Sequence, residues 1–431
     1  MIDTTKQSKR LKQRSLQAMG TLFFTALGAL TPLSESLAAA CNVKVNNDVK
    51  VAQKAPGFDS NVMVDEVAAA MQQSNVKGYA LNVFNRWGES VASVTHGLAR
   101  TQCDNDGERT FSLNTETPWG SVSKLLTTAA AIHAVDHNPI DFDDKLVDYL
   151  PYRWRSELHP RFQDVTLAML LQHKAGFRHS GCGRPLRDRL KEGDAVNGCS
   201  GSNPRPSVGT KQYSNTGPGI FYVILAYMTR PDFMHTIDFG YQNHSDAVYD
   251  SVIQGYTASI YNDYVEDNVL APVGVSATCN MADNAGGNYT LWYSSANDSS
   301  GSMPSDQSGH CSSGGWIMSS NEMTRVLSRL GNSEDILSRE SYKLMESSWE
   351  DSLGWWRVGP NQRPHFSHNG AWGSTRSQVY SLQGGYTATL VTNSPPANGV
   401  SLGGLLMDAY ENAREKGVGN DAIISAKYIM E

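Results

Sequence analysis

Hydrophobic and polar positions divide the chain into segments of different period. Val62, Val64, Val67, Ala68 and Met71 recur at helical spacing, so a helix is expected over 62–71. Residues 79–84 and 90–95 alternate apolar and polar positions around Asn85-Arg-Trp-Gly88, the pattern of a β-hairpin. After the Pro118/Gly120 turn signal comes a dense apolar run, Leu125, Leu126, Ala129, Ala130 and Ile132, which reads as a buried helix. Further helices are expected over 141–151, stopped by Pro151, over 165–176, ending at Gly176, and over 220–228. A polar insertion fills about 229–250, and helices follow near 260–269 and 316–330, separated by a Gly/Ser/Asn-rich loop at 284–313. The last third turns to period two: 365–372, 377–382 and 386–393 read as strands, the latter two joined at Gln383-Gly-Gly385, before an amphipathic helix over 403–416. Strands at both ends with helices between them predict an α+β fold, in which one antiparallel sheet is assembled from both chain ends around an inserted, mainly helical region.

Composition adds the setting. The chain has 431 residues, 40 % of them hydrophobic, enough for a substantial core, and a formal charge of −7. With no basic block beyond the first residues, nucleic acid is not expected as a partner. Residues 1–40 read as an export signal, with Lys6, Lys9, Arg10, Lys12 and Arg14 ahead of the short apolar stretch Ala18–Leu30 and the small residues Ala38-Ala39-Ala40. The stretch is short for a membrane span. The expected mature protein has a mobile polar start over 41–60 and one domain over 61–420, in the periplasm or secreted. Cys41 directly follows the small residues; it is either a lipidated first residue or, the favoured reading, one of six cysteines forming disulfides. The most local pairing is Cys182–Cys199, Cys279–Cys311 and Cys41–Cys103. No cysteine or histidine spacing suits a metal, and neither metal nor cofactor is expected.

Candidate chemistry concentrates at the mouth of the buried helix. Ser121 and Lys124, three residues apart, share one face there, so a hydroxyl is held beside an amine that can serve as its base. A second Ser-x-x-Lys, Ser74-Asn-Val-Lys77, opens no apolar helix. Tyr213-Ser-Asn215 precedes the apolar helix at 220–228, whereas Tyr241-Gln-Asn243 lies in the polar insertion. His368-Asn-Gly370 sits on a strand ahead of the terminal hairpin, while Lys174-Ala-Gly176 and Lys191-Glu-Gly193 do not.

In order and spacing these motifs resemble the penicillin-recognising serine hydrolases, specifically the branch of class C β-lactamases, DD-peptidases and related esterases. Trp119-Gly-Ser-Val-Ser-Lys124, Leu170–Gly176, Tyr213-Ser-Asn215, Leu270–Gly274, Ser313–Ser319 and His368-Asn-Gly370 carry the resemblance. It implies a β-lactamase/transpeptidase-like fold and catalysis through an acyl-enzyme, with Ser121 as nucleophile, Lys124 as base and Tyr213 as proton relay. It places Asn215, His368, Asn369, Gly370 and Ala371 on the substrate side, and the oxyanion between the backbone N–H groups of Ser121 and Ala371. His368 stands where many relatives have lysine, and Asn369 where threonine is usual, so esters, amides and D-amino-acid peptides are expected ahead of efficient β-lactam hydrolysis. A DD-carboxypeptidase or β-lactamase acting on cell-wall peptides or β-lactams is the second reading. A non-catalytic penicillin-binding protein is the third.

Overall fold

The structure is a computed structural model that describes residues 47–53, 55–179, 183–195, 205–283, 287–303, 306–347, 350–359 and 365–429. The proposed signal, Cys41, Cys182 and Cys199 lie outside these residues. Seven antiparallel strands form the main sheet: β1 (Val49–Ala52), β2 (Gly78–Phe84), β3 (Ser90–Arg100), β4 (Trp356–Val358), β5 (His365–Trp372), β6 (Thr375–Leu382) and β7 (Tyr386–Thr392). Their spatial order is β1-β3-β2-β7-β6-β5-β4, with the two-residue strand Arg109–Thr110 added to β3. The sheet is thus closed at its centre by pairing β2 with β7, for example Leu81 opposite Leu390, so both chain ends meet there.

Both faces of that centre are covered, so every residue of β7 is buried, Thr387, Thr389 and Thr392 as well as the apolar positions. On one face lie α1 (Ser60–Gln73) and α7 (Leu402–Ile429), which pack Met63, Val67, Met71, Leu406 and Tyr410 against Leu81, Val83, Val94 and Leu390. On the other lies the helical region, including α2 (Ser123–His137), α3 (Thr216–Thr229), α4 (Pro231–Tyr241), α5 (Asp246–Val265) and α6 (Ser320–Asn332). Its core is built on α2, which is apolar on nearly every side and buried from Leu125 to Ile132. A capping box between Ser319 and Glu322 starts α6.

Several sequence expectations are corrected. The polar start over 41–60 supplies β1, which pairs with β3 (Val51 opposite Ser93) while exposing all four side chains. Backbone pairing and the Lys50–Asp65 ion pair to α1 (2.8 Å) hold it rather than burial, so no burial pattern marks it. The polar insertion at 229–250 is α4 and the first turn of α5, helices whose outer faces carry Phe233, Phe239, Val248 and Tyr256 in solvent. The helix expected over 141–151 is only a tight turn at Leu146–Tyr149, and that over 165–176 is the short helix Leu167–Leu171. Ile317–Met318, expected as helix, pairs instead with Thr117–Pro118. Among the described residues, no helix is long and apolar enough to cross a membrane. Cys279 and Cys311 form a disulfide, and Cys103 is also disulfide-bonded.

Candidate active site

The turn before α2 is fixed from both sides. Trp119 is fully buried, its indole N–H donates to Met318 O at 2.8 Å, and its carbonyl accepts from Ser377 Oγ at 2.8 Å. Gly120 then takes φ +55°, and a Cβ there would fall 2.6 Å from Ala371 N. A Cβ on Gly370 would fall 2.0 Å from Trp119 O. Two glycines therefore let β5 and the turn of Ser121 approach backbone to backbone. The approach uses the part of β5 that β4 leaves open: β4 pairs with β5 over His365–Ser367, and among the described residues no strand pairs with 368–372 on that side. The closeness of Ala371 N to Gly120 places this amide beside the turn that carries Ser121.

Ser121, Lys124, Tyr213 and Asn215, all expected from sequence, come together. Lys124 Nζ lies 3.1 Å from Ser121 Oγ and 2.8 Å from Asn215 Oδ1, and it also donates to the carbonyl of Ser313. The Tyr213 hydroxyl donates to Ser121 Oγ at 2.7 Å. Lys124 is 1 % exposed, and burial pulls its amine down to about 7. Burial pushes the Tyr213 phenol up to about 12, against the opposing effect of its hydrogen bond to Ser121. At neutral pH the phenol is therefore protonated and the amine is divided between its two forms. Near a neutral amine the geometry has a clear reading. Asn215 Oδ1 and Ser313 O can only accept, so they take the two amine protons, and the lone pair is left for the hydroxyl of Ser121.

The substrate-side residues of β5 divide by strand alternation. His368 and Gly370 face inward, Asn369 and Ala371 outward. Ala371 lines the cleft beside Ser121. The His368 residue is 1 % exposed, and its Nδ1 lies 2.8 Å from Asn369 O. That carbonyl can only accept, so the proton sits on Nδ1 and Nε2 carries a lone pair. Burial first, and Lys124 second, hold the imidazole down to about 3, so it is neutral. Asn369 contributes that carbonyl and exposes its side chain.

Two further contributors lie in the family-like segments Ser313–Ser319 and Leu170–Gly176. One is the Ser313 carbonyl, set in the tight turn Cys311–Gly315, which the disulfide and a bond from Thr127 Oγ1 to Ser312 O (2.8 Å) anchor against α2. A backbone acceptor leaves no side-chain signature, so its role is not written in the residue type. The other is His173, in the segment Leu170–Gly176. It is buried at φ +60°, its Nδ1 accepts from Ser214 N at 3.3 Å, and its ring lies 4.6 Å from that of Tyr213. It thereby orients the Tyr213–Asn215 segment. Trp356 closes the same aromatic group, 5.9 Å from Tyr213. Among the described residues, no group of three or more His, Cys, Asp or Glu side chains is placed to hold a metal ion.

The family model described as Beta-lactamase matches residues 64–410. The chain belongs to the beta-lactamase family. This places it among serine hydrolases, and the family's fold accounts for the sheet drawn from both chain ends. A class C beta-lactamase from Rhodobacter sphaeroides shares 16 % identity at TM-score 0.59, over 83 % of this chain and 99 % of that one. A beta-lactamase/D-alanine carboxypeptidase from Pseudomonas syringae shares 15 % identity at TM-score 0.58, over 83 % and 98 %. At such identities the likeness is one of fold. Among curated proteins, the putative fimbrial assembly protein FimD (serogroup D) of Dichelobacter nodosus is 34 % identical over 71 residues, 16 % of this chain. The match spans 18 % of that relative's length.

Proposed function

We propose that this beta-lactamase family member is an exported serine hydrolase that works through an acyl-enzyme. The observation that carries the proposal is the coordination of Lys124: two carbonyl acceptors and one hydroxyl around a buried amine held near neutrality. In this reading neutral Lys124 takes the proton of Ser121 Oγ as the oxygen attacks a substrate carbonyl carbon. The oxyanion forms between the N–H groups of Ser121 and Ala371, each such donor contributing on the order of 3 kcal/mol to the transition state. As the carbonyl–leaving-group bond breaks, the leaving atom takes the Tyr213 proton, and Lys124 returns its proton to Tyr213. Water then attacks the acyl carbon with the same groups acting in reverse. The reaction needs no cofactor.

Esters are the preferred substrate class, with amides and D-amino-acid peptides behind them. The reason is His368. Many relatives have a lysine at this position, and here a neutral, inward-facing imidazole supplies no cation for a substrate carboxylate. The Cys279–Cys311 disulfide suits an oxidising compartment, in keeping with export.

Labelling tests the core of the proposal. A fluorophosphonate or penicillin probe should attach to the wild-type protein and not to Ser121→Ala. Absence of labelling by both, with no turnover of an activated ester, would refute it. Parallel turnover of p-nitrophenyl acetate, a D-Ala-D-Ala peptide and nitrocefin ranks the substrate classes, and nitrocefin as the best of the three would overturn the ester preference.

A further inference from the structure

Histidine stands at position 173 where the backbone favours glycine. The short helix Leu167–Leu171 ends in a Schellman turn: Gln172 N donates to Ala168 O at 2.9 Å and Lys174 N to Met169 O at 2.8 Å. His173 follows the helix cap in the left-handed region, at φ +60°. A Cβ is crowded there by the following carbonyl, so glycine is usual and other residues are strained. Strain of this kind persists where the surrounding structure over-determines a residue, and it clusters at functional sites.

Three contacts of His173 converge on Tyr213. Its carbonyl accepts from Gln212 N at 2.9 Å, its Nδ1 accepts from Ser214 N at 3.3 Å, and its ring lies 4.6 Å from the phenol ring. The amides on both sides of Tyr213 thus end on a single residue. Residues 211–214 belong to no helix or strand, so no regular ladder fixes their backbone, and His173 takes that place. Trp356 backs the imidazole, 6.0 Å away and nearly parallel to it. Since Nδ1 accepts a backbone N–H, the ring is neutral with its proton on Nε2. Burial first, and Lys124 second, hold it down to about 3, so the grip is unchanged at neutral pH. His173 is itself buried and reaches the reacting atoms through Tyr213, whose hydroxyl donates to Ser121 Oγ at 2.7 Å.

We propose that His173 is the positioning residue for proton donation to the leaving group: a strained clamp that holds the Tyr213 phenol at Ser121. This rests on the acyl-enzyme reading, with Tyr213 as proton donor, and deepens it. The clamp then decides which leaving groups the enzyme can expel. An alkoxide leaves only as its oxygen takes the Tyr213 proton while the carbonyl–oxygen bond breaks, whereas p-nitrophenolate leaves as a stable anion without one.

The test keeps one acyl group and varies the leaving group: p-nitrophenyl, phenyl, trifluoroethyl and ethyl butyrate. His173→Gly suits the left-handed backbone and removes both Nδ1 and the ring. In that variant kcat/KM for the ethyl ester should fall, relative to the p-nitrophenyl ester, by roughly tenfold to a hundredfold. His173→Asn tolerates the same φ and offers Oδ1 to Ser214 N, so it should recover most of that ratio. An equal loss on all four esters, or an unchanged ratio in His173→Gly, overturns the assignment. Tyr213→Phe is the reference and should show the same selective loss of the ethyl ester. If it does and His173→Gly does not, the clamp alone is wrong; if Tyr213→Phe does not, the proton-donor reading fails and takes the clamp's role with it. Should no ester be turned over, the 13Cζ resonance of Tyr213, assigned by its loss in Tyr213→Phe, still decides. It should move in His173→Gly and return in His173→Asn, and a resonance that stays in place overturns the clamp.

Discussion

Replacing Asn215 by aspartate puts a charge where the structure has a neutral acceptor, 2.8 Å from Lys124 Nζ, with almost no change of shape. An opposite charge at this range raises an amine's pKa by about 1–3 units, and the partial exposure of Asn215 favours the middle of that range. From about 7 the amine would move to roughly 9. At pH 7 its neutral fraction would fall from about one half to about one in a hundred, so acylation should slow by roughly fiftyfold. The loss should be regained as pH rises through 9. Burst-phase release of p-nitrophenol from pH 5 to 10 measures this directly: wild type should reach half its acylation rate near pH 7, and Asn215→Asp about two units higher. Loss of a substrate contact at Asn215 would instead lower the rate equally at every pH. A midpoint that stays in place in the variant would refute the assignment of Lys124 as the base.

Other outcomes follow from the same geometry. Gly370→Ala puts a Cβ 2.0 Å from Trp119 O, so β5 must retreat and carry the Ala371 amide with it; kcat should fall roughly a hundredfold or more, read by steady-state kinetics on a protein with unchanged circular dichroism. Lys124→Met should abolish acylation and yet stabilise the fold by about 1–3 kcal/mol at neutral pH, measured by denaturant titration. The sign follows from the lowered folded-state pKa: between about 7 and 10.5 the unfolded chain holds a proton on Lys124 that the folded protein lacks, so the wild-type penalty is largest below 7 and fades as pH rises. Accordingly, the stability gap between Lys124→Met and wild type should close toward pH 10.5. Replacing both Cys279 and Cys311 by serine opens a loop with a sequence separation of 32 and should cost about 3–4 kcal/mol, with a loss of activity because the Ser313 carbonyl sits two residues from Cys311.

The parts of the fold that could be read from sequence are those whose side-chain period survives packing. The strands His365–Trp372, Thr375–Leu382 and Tyr386–Thr392, the β2–β3 hairpin and α1 lie close to where the pattern of apolar positions puts them. The segments misread are those whose partners are remote or whose interactions run through backbone: β1, the Ile317–Met318 pairing, and α4 with its solvent-facing aromatics. At the site, Ser121, Lys124, Tyr213 and Asn215 were legible because each acts through a side chain of fixed chemistry. Ser313 was legible only as the start of the family-like segment Ser313–Ser319, since it contributes a carbonyl. His368 was legible as a position and not as an orientation, because strand phase decides which way its ring points.

The contact of Gly120 with Ala371 also has a meaning in time. The proposed nucleophile and base lie within four residues of one another, but the strand that packs against their turn is about 250 residues further along the chain. Through β6 and β7 that strand is anchored to β2 at the centre of the sheet. A growing chain that has delivered Ser121, Lys124 and Tyr213 still lacks the Ala371 amide that the proposed function places at the oxyanion. On that proposal acylation is fast only once the last strands have docked, which would make it a reporter of completed folding.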